Sequence, residues 1–144
     1  MQIKRLVNDL DPTSELMTWT PAWQIGQEVV LSGMTANPNA QPLGLQGQGG
    51  LDAGADMYSQ TMAVFEKIES WLKVAGGHRH NLVKTVVYVT DISLKSEVGR
   101  ARRDFFGGYF PLSTLVEVSG LVFPQLRVEI DAWARLDVDI RQAL

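Results

Sequence analysis

The segment Leu82–Thr90, reading LVKTVVYVT, constrains the fold more than any other part of this chain. It is dense in β-branched residues, which favour strands. Both of its alternating sets are largely apolar: Val83, Val87 and Val89 on one, Leu82, Val86 and Tyr88 on the other. Side chains of a strand alternate between faces, so this strand has to be covered from both sides. The chain offers two helical segments, enough for one side only. A partner subunit covers the other, so the pattern predicts a homo-oligomer.

The remaining elements follow from periodicity and punctuation. Ile3–Val7 reads as a short first strand. Ala22–Ser32 (AWQIGQEVVLS) reads as a hairpin with Gly26-Gln27-Glu28 at its turn. A tract rich in Gly, Pro, Asn and Gln from Thr35 to Gly54 reads as a long loop. In Ala55–Ala75 the residues Thr61, Phe65, Ile68, Leu72 and Ala75 recur at helical spacing, with Glu66, Glu69 and Lys73 on the other side. Gly76-Gly77 stops that helix. A second helix runs from Leu94 to Phe106, capped by Ser93 and stopped by Gly107-Gly108. Two strands close the chain, about Thr114–Ser119 and Leu126–Leu136. The order β-β-β-α-β-α-β-β predicts an α+β fold over residues 1–144 as one domain: a mixed sheet with both helices on one face.

Composition removes several function classes. There is no cysteine among the 144 residues, so disulfides, thiolate nucleophiles and Cys-ligated zinc are excluded. The net charge of −3 opposes phosphate backbones, and the one basic cluster, Arg100, Arg102 and Arg103, reads as a solvated helix face. No nucleic-acid partner is expected. The start, MQIKRLVNDLDP, lacks the apolar run of a signal peptide, and no stretch is apolar enough to span a membrane, so a soluble cytoplasmic protein is expected. His78-Arg79-His80, next to the helix stop, reads as a polar turn and not a metal site. The Gly44–Gly50 tract (GLQGQGG) has no following Lys-Ser/Thr, so it is not a phosphate-binding loop; its place suggests a lid.

The C-terminal stretch Phe110–Ala134, FPLSTLVEVSGLVFPQLRVEIDAWA, carries a carboxylate, Glu129, inside its second strand. On pattern alone, Arg127, Glu129 and Asp131 alternate outward to solvent. Taken with Ile25-Gly26 through Ser32-Gly33, Gln60-Thr61 and the Leu82–Asp91 strand, however, this stretch resembles the Rid family of reactive-intermediate deaminases, also called the YjgF family. The resemblance covers about Trp19 to Ala134. It implies a chorismate-mutase-like fold and a homotrimer whose sheets surround a central barrel, with small-molecule ligands held in three intersubunit clefts. It also implies hydrolysis of reactive imines or enamines to a keto acid and ammonia, without metal or organic cofactor.

The resemblance assigns roles residue by residue. Glu129 takes the place of the glutamate that positions water. Trp19, Ser32, Gly33, Tyr88, Ser113 and Leu115 fall in the ligand-binding set. Trp19 stands where the family carries a tyrosine, keeping an aromatic wall without the hydroxyl. Ser113 stands where the family carries an arginine that grips a substrate carboxylate as a bidentate, charge-assisted pair. With Ser113 and the apolar Leu115, the pocket is expected to take a ligand that is larger, more apolar, or charged elsewhere, unless Arg79, Arg102 or Arg103 supplies the guanidinium. The function read from this is hydrolytic deamination of an imine or enamine other than the usual small 2-imino acids. The alternatives are a non-catalytic binding or interaction module on the same trimer, and an endoribonuclease.

Overall fold

The computed structural model describes residues 1–6, 18–37 and 55–144. The tract beyond Asn37, with the suggested Gly44–Gly50 lid, lies outside the described residues. Six strands form one sheet: β1 (Ile3–Leu6), β2 (Ala22–Ile25), β3 (Glu28–Thr35), β4 (Leu82–Val89), β5 (Leu112–Glu117) and β6 (Val128–Arg135). Their spatial order is β1-β2-β3-β6-β4-β5. The β4–β5 pair is parallel and the others are antiparallel, so the sheet is mixed as expected. The last strand in sequence fills the gap between β3 and β4. Two helices, α1 (Met57–Val74) and α2 (Lys95–Phe106), share one core with the sheet.

That core explains the sequence pattern. Phe65, Ile68, Trp71 and Leu72 of α1 are fully buried, with Val29 of β3 and Val128, Ile130 and Ala132 of β6 in the same cluster. Phe105 and Phe106 at the end of α2 meet Phe65, with ring centroids 5.3 and 5.1 Å away. Each such buried side chain contributes about 1.5–3 kcal/mol. Asp56 caps α1 by accepting the Ser59 amide at 2.8 Å. Gly76, at φ +86°, ends it in the left-handed region that glycine adopts without strain. At α2 the expected Ser93 cap is replaced: Asp91 accepts the Ser93 amide and caps a single 3₁₀ turn, Ile92–Leu94, which leads into the helix.

Strand β4 is two-faced, but its register corrects the expected sets. From Thr85 onward the odd residues Thr85, Val87 and Val89 are buried toward the helices, while Val86 and Tyr88 are half-buried on the other side. A register shift between Leu82 and Lys84 changes the parity, so Leu82 joins the core in place of Val83. The face away from the helices also carries Trp23, Val30 and Trp133, cross-strand neighbours on β2, β3 and β6. Trp23 and Trp133 are exposed there. No helix among the described residues is long and apolar enough to cross a membrane.

Glu69 departs from the expected solvent face. It is buried, and its two oxygens accept from Arg79 Nε and Nη2, each at 2.8 Å. Arg79 also donates to the Phe105 carbonyl at 2.6 Å and stacks on the Phe105 ring. The pair therefore joins α1 to the end of α2, and Arg79 is committed to it. The rest of the expected polar turn serves as a capped connector: His78 Nδ1 accepts the His80 amide, and the His80 ring bonds the Phe106 carbonyl. Burial opposes ionisation of Glu69, but the Arg79 hydrogen bonds and charge outweigh it and hold the carboxyl below its ordinary 4.5. A depressed carboxyl stabilises the fold fully above its unfolded value and loses that contribution as pH falls through the folded value. Glu69→Gln is expected to lower unfolding free energy by about 1–3 kcal/mol, discounted because Arg79 is partly exposed. The same substitution should flatten the loss of stability below pH 4.5; urea titrations at pH 7 and pH 3.5 measure both effects.

Candidate functional site

The site is built on β6, which pairs on both sides. Its residues Val128, Ile130, Ala132 and Ala134 are buried in the core. The two-residue period then sends Glu129, Asp131 and Trp133 to the opposite face. Glu129 is level with Tyr88 of β4 and Thr35 of β3. The Tyr88 hydroxyl donates to Asp131 Oδ2 at 2.8 Å. A buried glutamine fixes where β6 begins: Gln60 of α1 donates to the Ala55 and Gln125 carbonyls and accepts the Arg127 amide at 2.9 Å.

A bulge in β3 completes this face. Leu31 pairs with Ala132 and Met34 with Ile130, so Ser32 and Gly33 together oppose Asp131. A Cβ on Gly33 would lie 3.0 Å from Asp131 Oδ1 and 3.0 Å from Glu129 Oε1. A side chain there would push both carboxylate ends aside; the bare glycine backbone lets them lie against it. The Ser32 hydroxyl donates to the Thr20 carbonyl at 2.5 Å, and the Ser32 amide to the Pro21 carbonyl at 2.8 Å. Ser32 thus ties down the segment carrying Trp19, which is half exposed.

The electrostatics distinguish the two acids. Burial, and then the charge of Asp131, push the Glu129 carboxyl above its ordinary 4.5. Asp131 accepts from Tyr88, and that hydrogen bond raises the phenol in turn. A carboxyl so placed can take up and return a proton more readily than an exposed one. Asp131 was read from the sequence as a solvated residue; the structure puts it inside the cluster. The signal was present, since a residue two positions from Glu129 on a strand must share its face.

Ser113 and Leu115 lie elsewhere. They pair in parallel with Thr85 and Val87, which are buried toward the helices. They therefore occupy the helix-side face of β5, two strands from Glu129, or about 10 Å across the sheet, and on its opposite side. The structure brings together Glu129, Asp131, Tyr88, Ser32 and Gly33, and tethers Trp19 through Ser32. Within one chain it does not bring Ser113 and Leu115 to them. Beside Ser113 is one of the three arginines the sequence offered as a replacement guanidinium: Arg102 of α2 donates from Nη2 to the Ser113 hydroxyl at 3.0 Å. Arg102 is half-buried, so the expected solvated face of Arg100, Arg102 and Arg103 is only partly solvated.

A sequence model described as Endoribonuclease L-PSP matches residues 12–136. The chain belongs to that family. Among solved structures, a protein of unknown function, PA3499 from Pseudomonas aeruginosa, is 44% identical with a TM-score of 0.81, covering 99% of each chain. Rv2704 from Mycobacterium tuberculosis, a member of the YjgF/YER057c/UK114 family, is 31% identical with a TM-score of 0.74, covering 93% of this chain and 99% of that one. The resemblance to the Rid/YjgF family read from the motifs is borne out, as is the mixed six-stranded sheet with two helices. A RutC family protein, PH0854 from Pyrococcus horikoshii, is 33% identical over 79 residues, 55% of this chain and 62% of that protein. The match thus spans less than two thirds of that curated relative.

One consequence of the carboxylate cluster is measurable directly. The side-chain carboxyl of Glu129, followed by carbon NMR during an acid titration, should titrate above 4.5, and Asp131→Asn should bring it down toward that value. An unchanged Glu129 titration in Asp131→Asn would show that Asp131 does not act on it.

Proposed function

We propose that this protein hydrolyses an imine or enamine to a carbonyl compound and ammonia, in a cleft between two copies of the chain in a homotrimer. The observation that carries the reading is Glu129: a carboxyl with a raised proton affinity, on a strand held from both sides, against a bare glycine backbone. In its ionised form it accepts a proton from water as the oxygen bonds to the imine carbon. It then returns that proton to nitrogen, giving a carbinolamine, and next takes the carbinolamine hydroxyl proton and passes it to the same nitrogen, so that the carbon–nitrogen bond breaks, ammonia leaves, and the former water oxygen becomes the carbonyl. An enamine first takes a proton on carbon to become the imine. Tyr88 keeps the neighbouring Asp131 carboxylate oriented; Trp19 and Ser32 shape the pocket wall.

The assembly follows from the two half-sites. Ser113 and Leu115 face away from Glu129 within one chain, so one cleft can use all of them only if it is walled by two copies. The exposed Trp23 and Trp133 on the open sheet face, and Leu112 and Val116 on the edge strand β5, are apolar surface that such an assembly covers. Sedimentation should give a particle of three times the 15.9 kDa chain mass. The substrate reading, an imine other than the usual small 2-imino acids, rests on serine at position 113. RNA cleavage is less well supported, because the net charge is −3.

Ammonia release from a panel of enzymatically generated imines tests the activity. Wild-type protein should accelerate at least one, and Glu129→Gln should slow it by on the order of 10²- to 10⁴-fold. Absence of turnover across the panel, or turnover indifferent to Glu129→Gln, would instead support the binding-module reading.

A further inference from the structure

Arg102 is unusual among the arginines beside the core. Arg79 is spent on Glu69, Arg100 lies 3.8 Å over the Tyr58 ring, and Arg103 is exposed. Arg102 is half-buried in α2, and among the described residues it makes no ion pair. Its Nη2 donates to a neutral hydroxyl, Ser113 Oγ, and its Nε is buried without any hydrogen-bond partner. Burial pulls its proton affinity down, but a guanidinium stays charged at neutral pH. A partly desolvated cation without a carboxylate is unfavourable unless an anion completes it. Ser113, on the edge strand β5, is small and exposed, and it offers the guanidinium a hydroxyl to lean on.

We propose that Arg102, delivered from α2 and steadied by Ser113, is the anion-recognising residue of this protein, and that its ligand carries a carboxylate or similar oxyanion bound from the helix side of β5. The proposal deepens the functional reading above and rests on it for the site's location. Of the outcomes left open by serine at 113, it selects the one in which Arg102 supplies the guanidinium. A guanidinium reaching across from a helix meets the anion at a different point from one rooted on β5, so specificity shifts while charge recognition persists. Arg102 and Ser113 then form one unit: a bulky side chain at 113 would displace the guanidinium from its place.

The test compares two probes that differ only in charge, 2-oxohexanoate and 2-oxohexanamide, by calorimetric titration at low and at 0.5 M salt. Wild-type protein should prefer the carboxylate by about ten- to a hundredfold, with the preference reduced at high salt. Arg102→Met should abolish the preference while leaving the unfolding midpoint near wild type, because no ion pair is broken. Arg102→Lys should keep part of it, and Arg102→Met combined with Ser113→Arg should restore it. Equal binding of the two probes by wild type, or an unchanged preference in Arg102→Met, would overturn the proposal. The two readings fail separately. Arg102-dependent carboxylate binding without turnover of any imine would remove the deaminase reading and keep this one. Turnover that requires Glu129 but is charge-blind would do the reverse. Where an imine acid is turned over, Arg102→Met should raise KM far more than it lowers kcat, since Arg102 binds the part that does not react.

Discussion

The parity of β6 is the constraint on which the rest of the molecule depends. This strand lies between β3 and β4 and is hydrogen-bonded to both, so its even-numbered residues can face only one way. The helices bury Val128, Ile130, Ala132 and Ala134 on that side. Glu129 and Asp131 are then fixed on the other side with no freedom left to them. A slip of one residue would exchange the core for the carboxylates, at the cost of the whole apolar cluster. The acid is held in place by the hydrophobic effect acting on its neighbours.

Strain-free space does the remaining positioning. The β3 bulge sets two residues against Asp131, and one of them has no side chain. Two carboxylates can therefore crowd one stretch of backbone, where partial burial and then the charge of Asp131 raise the proton affinity of Glu129. Glu69 illustrates the opposite outcome with the same residue type. It too is buried, but Arg79 meets it with two hydrogen bonds, and its affinity falls. What a buried glutamate can do is decided by whether a guanidinium reaches it.

Much of the fold was legible because it rests on local rules. The period of α1, its glycine stop, the hairpin turn at Gly26 and the apolar alternation of β6 are all properties of neighbouring residues. Glu129 was legible as well, through motifs whose order and spacing match a known family. The errors have one common cause. Glu69, Asp131 and Arg102 were each read as solvated because polar residues usually are. Each is partly or fully buried, and each meets a residue of another element or turn: Arg79, Tyr88 and Ser113 respectively. The parity change at Leu82 escaped for a similar reason, since a register shift belongs to a pair of strands and leaves no mark on one of them.

The amino-acid sequence by itself determined which segments become strands and helices and which residues of β6 alternate away from the apolar core, because hydrophobic periodicity and turn residues act over a few positions. Only the tertiary structure decided which strands lie side by side, which cations are spent on ion pairs and which have none. Those outcomes depend on strand order and on contacts between distant parts of the chain, where burial strengthens every charge that is brought close.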